Sequence, residues 1–168
     1  MRKQLLLTLF ATSLMMLGVQ SAYASVTYTA LSATKLNNSE GDEKLLDGQE
    51  STKWGEGLST GSTRWLIFKT DKAINPSEYT LTVANDTPGS TGRQWKKWKI
   101  YGANFFADAS ATKDAANWVL LDQKYCPSDS EFPTGSTNNS YQKTDFTMSE
   151  NNSGYYQYFK IVVEESRS

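Results

Sequence analysis

From Ser25 onward, apolar residues recur with a period close to two, and turn-forming residues interrupt them at short intervals. That is the period of a β-strand, whose successive side chains point to opposite faces. Strands are predicted over Val26 to Thr34, Arg64 to Thr70, Glu78 to Ala84, Lys97 to Ala103, Trp118 to Gln123, Lys143 to Met148 and Tyr155 to Glu164. Within Tyr79-Thr80-Leu81-Thr82-Val83 the alternation sends Tyr79, Leu81 and Val83 to one face and the threonines to the other. Near the end of the chain the same pattern turns Phe159, Ile161 and Val163 inward, with Tyr158, Lys160 and Val162 facing the other way. Gly55 to Ser62, Asn85 to Gly92 and Pro127 to Tyr141 are rich in Gly, Ser, Thr and Asn and read as loops. Between Asn104 and Asn117, alanines interleave with Asp and Lys, which reads as a loop insert with at most a helical turn or two. The class is all-β.

The first residues break this pattern. Arg2 and Lys3 precede an apolar run from Leu5 to Val19 that ends in Ala22-Tyr23-Ala24, which predicts a secretory signal over residues 1–24. The run contains Thr8, Thr12 and Ser13 and falls short of the roughly 20 apolar residues that span a bilayer. The expected product is therefore one domain over residues 25–168, secreted or held at the cell surface, with no membrane insertion after cleavage. Loss of Arg2 and Lys3 takes the formal net charge from −1 to −3, and no strongly basic stretch remains, so nucleic acid is not an expected partner. Lys96-Lys97 and Lys99 straddle Trp98 and read as a solvated strand face.

Several chemistries drop out. The chain has no histidine, the commonest general base and metal ligand, so Ser-His-Asp hydrolysis and zinc chemistry are not expected. The carboxylates Asp42, Glu43, Asp47, Glu50 and Glu56 cluster in a polar loop, with no sign of the buried partner that would raise one pKa for glycosidase work. Cys126 is the single cysteine; it allows no internal disulfide, and no neighbouring cation or histidine activates its thiol. Asn37, Asn85, Asn138 and Asn151 each begin Asn-x-Ser/Thr, a pattern common by chance in so Asn- and Ser-rich a chain, and no function is assigned to them.

Four blocks, in order, carry a family resemblance: Leu45-Leu46-Asp47-Gly48-Gln49-Glu50-Ser51-Thr52-Lys53-Trp54; Arg64-Trp65-Leu66-Ile67-Phe68-Lys69; Asn85-Asp86-Thr87 leading through Gly92-Arg93 to Trp98-Lys99-Ile100-Tyr101-Gly102-Ala103-Asn104; and Trp118-Val119-Leu120-Leu121 with Tyr158-Phe159-Lys160-Ile161-Val162-Val163. Together they resemble discoidin-type (factor 5/8 type C) domains of the galactose-binding-like superfamily, in particular bacterial family 32 carbohydrate-binding modules. The resemblance covers roughly Leu31 to Glu165 and implies a jelly-roll β-sandwich of about eight strands with binding loops at one end. The chain stops at Ser168, where the family continues into a further strand carrying a Glu, so the sandwich is expected to lack its last strand and to leave a neighbour unpaired.

The resemblance also implies a structural Ca²⁺, held by side-chain oxygens of Asp47 and Thr52 and by the carbonyls of Leu45 and Gln49. A plain Asx turn capped by Thr52 is the competing reading of that loop, and Gln49 stands where many members carry Asp or Asn. For a sugar, the physics asks for an aromatic face beside a few fixed donors and acceptors. Trp54 and Trp95 with Asn85, Asp86 and Arg93 form the best cluster by position; Trp95 and Arg93 are the expected exposed pair, while Trp65, Trp98 and Trp118 read as core. The competing readings are that Trp54 is buried, that Asn85-Asp86 shapes a turn and that Arg93 pairs with a carboxylate. The expected function is non-catalytic recognition of galactose-like or other termini on glycans or glycoproteins. The alternatives are a protein-interaction or adhesion module and a fragment without autonomous function.

Overall fold

The computed structural model describes residues 26–33, 40–54, 63–104, 118–136, 141–149 and 153–167. The predicted signal over 1–24, the Gly55 to Ser62 loop, the insert after Asn104, and Asn37, Asn138 and Asn151 lie outside them. The described residues form seven strands: β1 (Tyr28–Ala33), β2 (Arg64–Ile74), β3 (Glu78–Thr82), β4 (Trp95–Ala103), β5 (Val119–Tyr125), β6 (Lys143–Thr147) and β7 (Tyr156–Ser166). Two antiparallel sheets result, one in the order β1-β2-β7-β4-β5 and the other β3-β6.

The strand ends differ from the sequence expectation by a few residues. β2 runs on past Thr70 to Ile74, and β4 starts at Trp95 rather than Lys97. β7 is the central strand of the larger sheet, with Phe68 opposite Phe159 on one side and Ile100 opposite Ile161 on the other. Its ladder with β4 carries on to Glu165 and Ser166, so both edges of β7 are paired.

The core fills the space between the sheets. Leu66 and Phe68 of β2, Trp98 and Ile100 of β4, Leu121 of β5 and Phe159, Ile161 and Val163 of β7 meet Val83 and Phe146 from the smaller sheet's side. Phe68 stacks on Phe159 at 5.4 Å, and Trp98 meets Phe146 edge-on at 5.2 Å. Tyr79, Leu81 and Val83 share the inward face, as their alternation predicts. Of the five tryptophans, Trp98 alone is fully buried. Trp65 and Trp118 are partly buried and stand outside the main cluster, which corrects their reading as core.

The other face of β7 is not solvated either: Lys160 and Val162 are buried, and the Lys160 ammonium lies 4.6 Å from the Tyr101 ring and 4.8 Å from the Trp118 ring. Toward the strand's end, Glu164 accepts from Lys99 at 2.6 Å and Lys97 at 2.9 Å, and Lys96 pairs with Glu165 at 2.5 Å. The lysine-rich stretch of β4 is thus a solvated strand face neutralised by its neighbour.

One polar chain crosses the core. Trp98 Nε1 donates to the Tyr79 hydroxyl at 2.8 Å, and that hydroxyl donates to Asp122 Oδ2 at 2.6 Å. Asp122, fully buried, also accepts from Lys124 Nζ at 2.6 Å and from the Ser149 N–H at 2.8 Å. Burial opposes its ionised form, but Lys124, Ser149 and Tyr79 together outweigh burial and hold its pKa below the ordinary value. Burial, then the Asp122 carboxylate, pushes the Tyr79 phenol up. Asp122→Ala leaves the Tyr79 hydroxyl and the Ser149 amide without their acceptor and Lys124 with the Thr147 carbonyl alone, and is expected to cost about 3 kcal/mol, against about 1 kcal/mol for Tyr79→Phe. Urea denaturation of both variants and the double variant measures the coupling.

Candidate binding site

The loop after β3, the loop after β5, the segment before β2 and the residue after β7 lie at one end of the sandwich. The turn after β3 starts with the Thr87 N–H bonded to the Ala84 carbonyl and continues in two short 3₁₀ turns, Thr87–Gly89 and Thr91–Arg93. It exposes Asn85 and sets the Asp86 carboxylate between two cations. Lys53 Nζ and Arg93 each donate to Asp86 Oδ2 at 2.7 Å, and Lys53 also approaches Glu40 at 3.5 Å. The Lys53 hydrogen bond is the main reason the Asp86 pKa lies low, and Asp86 in turn holds Lys53 high.

Trp54, next to Lys53, meets Trp95 edge-on at 6.1 Å, and Trp95 leans on Trp98 at 6.0 Å. Four of the five candidate ligand residues are therefore joined in two pairs, Trp54 with Trp95 and Asp86 with Arg93, while Asn85 stands beside Asp86 in the turn. The expectation of Trp95 as an exposed aromatic is corrected: it is partly buried against the core, as is Trp54. Packing against Trp98, which anchors the core side of β4, draws it in. Arg93 is exposed, with 66% of its side chain open to solvent and one arm tied to Asp86.

Sequence reasoning left out two residues that shape this end. Lys53 was visible as a cation beside Trp54, but its partner lies 33 positions away. Arg167 is the second. Its guanidinium donates to the carbonyls of Cys126, Ser128 and Phe132 and pairs with Asp129, and its own N–H reaches the Gln94 carbonyl at 2.9 Å. Gln94, buried, donates from Nε2 to the Pro133 carbonyl at 3.2 Å. The loop after β5 is thereby fastened to the first residues of β4, beside Trp95. Cys126 lies beneath it with its thiol pushed up chiefly by burial, which keeps it protonated and unreactive at neutral pH.

The Asp47 loop closes on itself. Gly48 takes φ 71°, which lets the chain turn so that the Asp47 carboxylate accepts from the Gln49 N–H at 2.9 Å and the Thr52 hydroxyl at 2.8 Å. The Thr52 hydroxyl also lies 3.0 Å from the Gln49 carbonyl oxygen. Leu45 ends the 3₁₀ turn that leads into this loop and packs on the core. Burial opposes the Asp47 charge slightly, but the Gln49 N–H, the Thr52 hydroxyl and Lys44 outweigh it and lower its pKa. Among the described residues no three Asp, Glu, Cys or His side chains converge, so a cation here would rest on one carboxylate with hydroxyl and carbonyl oxygens. That donor set, with Asp47, Thr52 and the Gln49 carbonyl oxygen drawn together, fits a hard cation and no softer one.

Between this loop and the sheets opens a cleft of about 1280 Å³. It runs from Asp86, Arg93 and Trp95 at the loop end to Tyr28, Ile74 and Pro76 at the other.

No protein-family model matches the chain, and no curated protein matches its sequence. Solved structures match its fold. A family 32 carbohydrate-binding module of a family 31 glycoside hydrolase from Clostridium perfringens is 16% identical, with a TM-score of 0.57 over 84% of this chain and 81% of that one. The module CpGH89CBM32-5 from the same organism, in complex with GalNAc-β-1,3-galactose, is 14% identical, with a TM-score of 0.53 over 84% and 85%. Reduced XRCC1 bound to the DNA polymerase β catalytic domain is 14% identical, with a TM-score of 0.59 over 86% and 89%. The chain has the discoidin-like β-sandwich fold of the family 32 modules.

Because Asp86 and Asp47 have lowered pKa values in the folded chain, the stability they give is complete above the unfolded value of about 3.9 and is lost as pH falls through their folded values. Thermal melts between pH 7 and pH 2 are expected to show this loss below about pH 4. It should be shallower in Asp86→Asn, which no longer gains a proton.

Proposed function

We propose that this sandwich, which shares its fold with family 32 carbohydrate-binding modules, is itself a non-catalytic carbohydrate-binding module. A glycan terminus of galactose type would sit at the loop end, on the exposed borders of Trp95 and Trp54, with Arg93 and Asn85 supplying hydrogen bonds to its hydroxyls. The observation that carries this reading is the joining of Trp54-Trp95 to Lys53-Asp86-Arg93 at the loop end of a sandwich whose structural neighbours include modules solved with galactose and with GalNAc-β-1,3-galactose. Asp86 fixes Arg93 and Lys53 before any ligand arrives, so few donors need ordering on binding. One aromatic contact and a few solvent-facing hydrogen bonds correspond to about −4 to −8 kcal/mol, millimolar to micromolar affinity.

The chain would act after export through the predicted signal over residues 1–24; no helix among the described residues is long and apolar enough to cross a membrane. Calcium would brace the Asp47 loop through the Asp47 carboxylate, the Thr52 hydroxyl and the Leu45 and Gln49 carbonyls. A glycan array with the purified mature chain should show selective binding to galactose-terminated glycans. Trp95→Ala or Arg93→Ala should weaken that binding at least tenfold, with thermal melts confirming that each variant folds. Calcium at ten times its Kd is expected to add about 1.4 kcal/mol of stability, a gain absent in Asp47→Ala. A second reading, recognition of a protein, is favoured by the XRCC1 neighbour, which was solved bound to a polymerase domain; a folded chain that binds no glycan would support it.

A further inference from the structure

Arg93 and Trp95, the guanidinium and the half-buried ring of the proposed glycan site, are separated by one residue. That residue, Gln94, is buried and extended, with φ −63° and ψ 136°. Before it Arg93 closes a 3₁₀ turn, and after it Trp95 opens β4. Two steps of extended chain cover about 7 Å, so the placing of Gln94 sets how a ligand finds the guanidinium and the ring together. Burying an amide side chain is unfavourable unless its hydrogen bonds are made, and here the amide donates. The Gln94 N–H donates to the Thr91 carbonyl at 3.1 Å, and its carbonyl accepts from the Arg167 N–H at 2.9 Å. Its Nε2 donates to the carbonyls of Pro133 at 3.2 Å and Phe132 at 3.4 Å.

The carbonyls that receive Gln94 belong to a loop that Arg167 holds. With 11% of its side chain exposed, Arg167 donates to the carbonyls of Cys126, Ser128 and Phe132 and pairs with Asp129. The Phe132 carbonyl serves both residues. A circuit closes: Arg167 backbone to Gln94 backbone, Gln94 side chain to the loop after β5, and that loop back to the Arg167 guanidinium. A second route runs through rings, since the buried Phe132 lies 5.7 Å from Trp98 and Trp98 lies 6.0 Å from Trp95. Apolar packing against the loop would stabilise the fold without choosing an angle for Trp95. Bonds from a planar amide and a planar guanidinium choose one.

We propose that Gln94 and Arg167 are the positioning residues of the glycan site: they fix the spacing and orientation of Arg93 and Trp95 and do not themselves touch the sugar. The inference rests on the carbohydrate reading of this end of the sandwich. It makes the loop after β5 a brace for the site, and it ties the site's affinity to the residue that follows β7. A pair that only stabilised the fold would leave the affinity of the folded chain alone. A positioning pair changes affinity in chains that remain folded, because a loosened Arg93 and Trp95 must be ordered by the ligand.

The test compares Gln94→Leu, Arg167→Ala and Arg167→Lys in the mature chain with Thr70→Ala. The last removes a buried hydroxyl from the Gln157 carbonyl, away from this end of β2, and is the control for lost stability alone. Two quantities are read below the melting transition of each variant: the Trp95 indole and Arg93 Nε–H resonances of the free chain, and the Kd for lactose, a galactose-terminated disaccharide. Gln94→Leu and Arg167→Ala are expected to shift both resonances and to weaken lactose binding at least fivefold. Arg167→Lys keeps a cation at the loop carbonyls and is expected to fall between Arg167→Ala and wild type, which holds the test open if either of the other two does not fold. Thr70→Ala is expected to change neither quantity. The inference is overturned if the two resonances or the Kd stay at wild-type values in the Gln94 and Arg167 variants, or if Thr70→Ala weakens binding as much as they do. A wild-type chain that binds no lactose overturns the galactose reading and takes this inference with it, an outcome distinct from wild type and variants binding alike.

Discussion

The two sheets are tied together by a buried chain of three side chains, Trp98 to Tyr79 to Asp122. Apolar packing alone would let the two-stranded sheet slide over the larger one, because oil-like contacts have no direction. A hydrogen bond from an indole to a phenol to a carboxylate has direction at every step, and each member sits on a different strand, β4, β3 and β5. Asp122 also receives the Ser149 N–H just past β6. One buried carboxylate thus fixes where both strands of the smaller sheet lie. A slip of one residue in β3 would turn Tyr79 away and take from the buried Asp122 carboxylate its phenol donor.

At the loop end the same rule operates with more solvent. Asp86 holds Lys53 and Arg93 through one oxygen, Asp47 accepts from Gln49 and Thr52 of its own loop, and Arg167 donates to four oxygen-bearing groups. The side chains that would meet a ligand are supported from behind by partners already satisfied. Such a surface holds its shape at modest cost and also attracts modestly, because much of its hydrogen-bonding capacity is spent internally. Arg93 departs from this: a single arm is tied down and the rest of its fork faces outward.

Much of this was legible in the residues. Period-two alternation located all seven described strands and chose the inward faces of β3 and β7, since burial of one face is what the alternation encodes. The order of the Asp47-Thr52, Arg64, Asn85-Arg93 and Tyr158 blocks pointed to the discoidin-type sandwich. Four features were not legible. Trp95 reads as a loop aromatic but is pulled inward by Trp98, a tertiary contact that local pattern cannot register. Lys160 alternates as an outward residue yet is buried between two rings from β4 and the start of β5. Asp86, the main partner of Lys53, lies 33 positions away, and the carbonyls that the Arg167 guanidinium reaches lie 35 to 41 away, beyond any spacing rule. The central place of β7 was missed for a related reason: strand order within a sheet is set by long-range pairing and leaves no mark on a strand's own alternation.

That central place makes the larger sheet depend on one strand. β1 and β2 pair with each other, and so do β4 and β5, but β2 and β4 touch no common partner except β7. Without β7 the larger sheet consists of two separate strand pairs, β1-β2 and β4-β5, and an isolated two-stranded pair is only marginally stable in water. A single element joins them, brings Phe159 and Ile161 into the core between them, and carries Arg167 onto the loop after β5. The larger sheet is therefore a matter of closure rather than growth: a chain cut before Tyr156 would keep β4 and β5 tied to the smaller sheet through Trp98, Tyr79 and Asp122, and would lose the strand that joins them to β1 and β2.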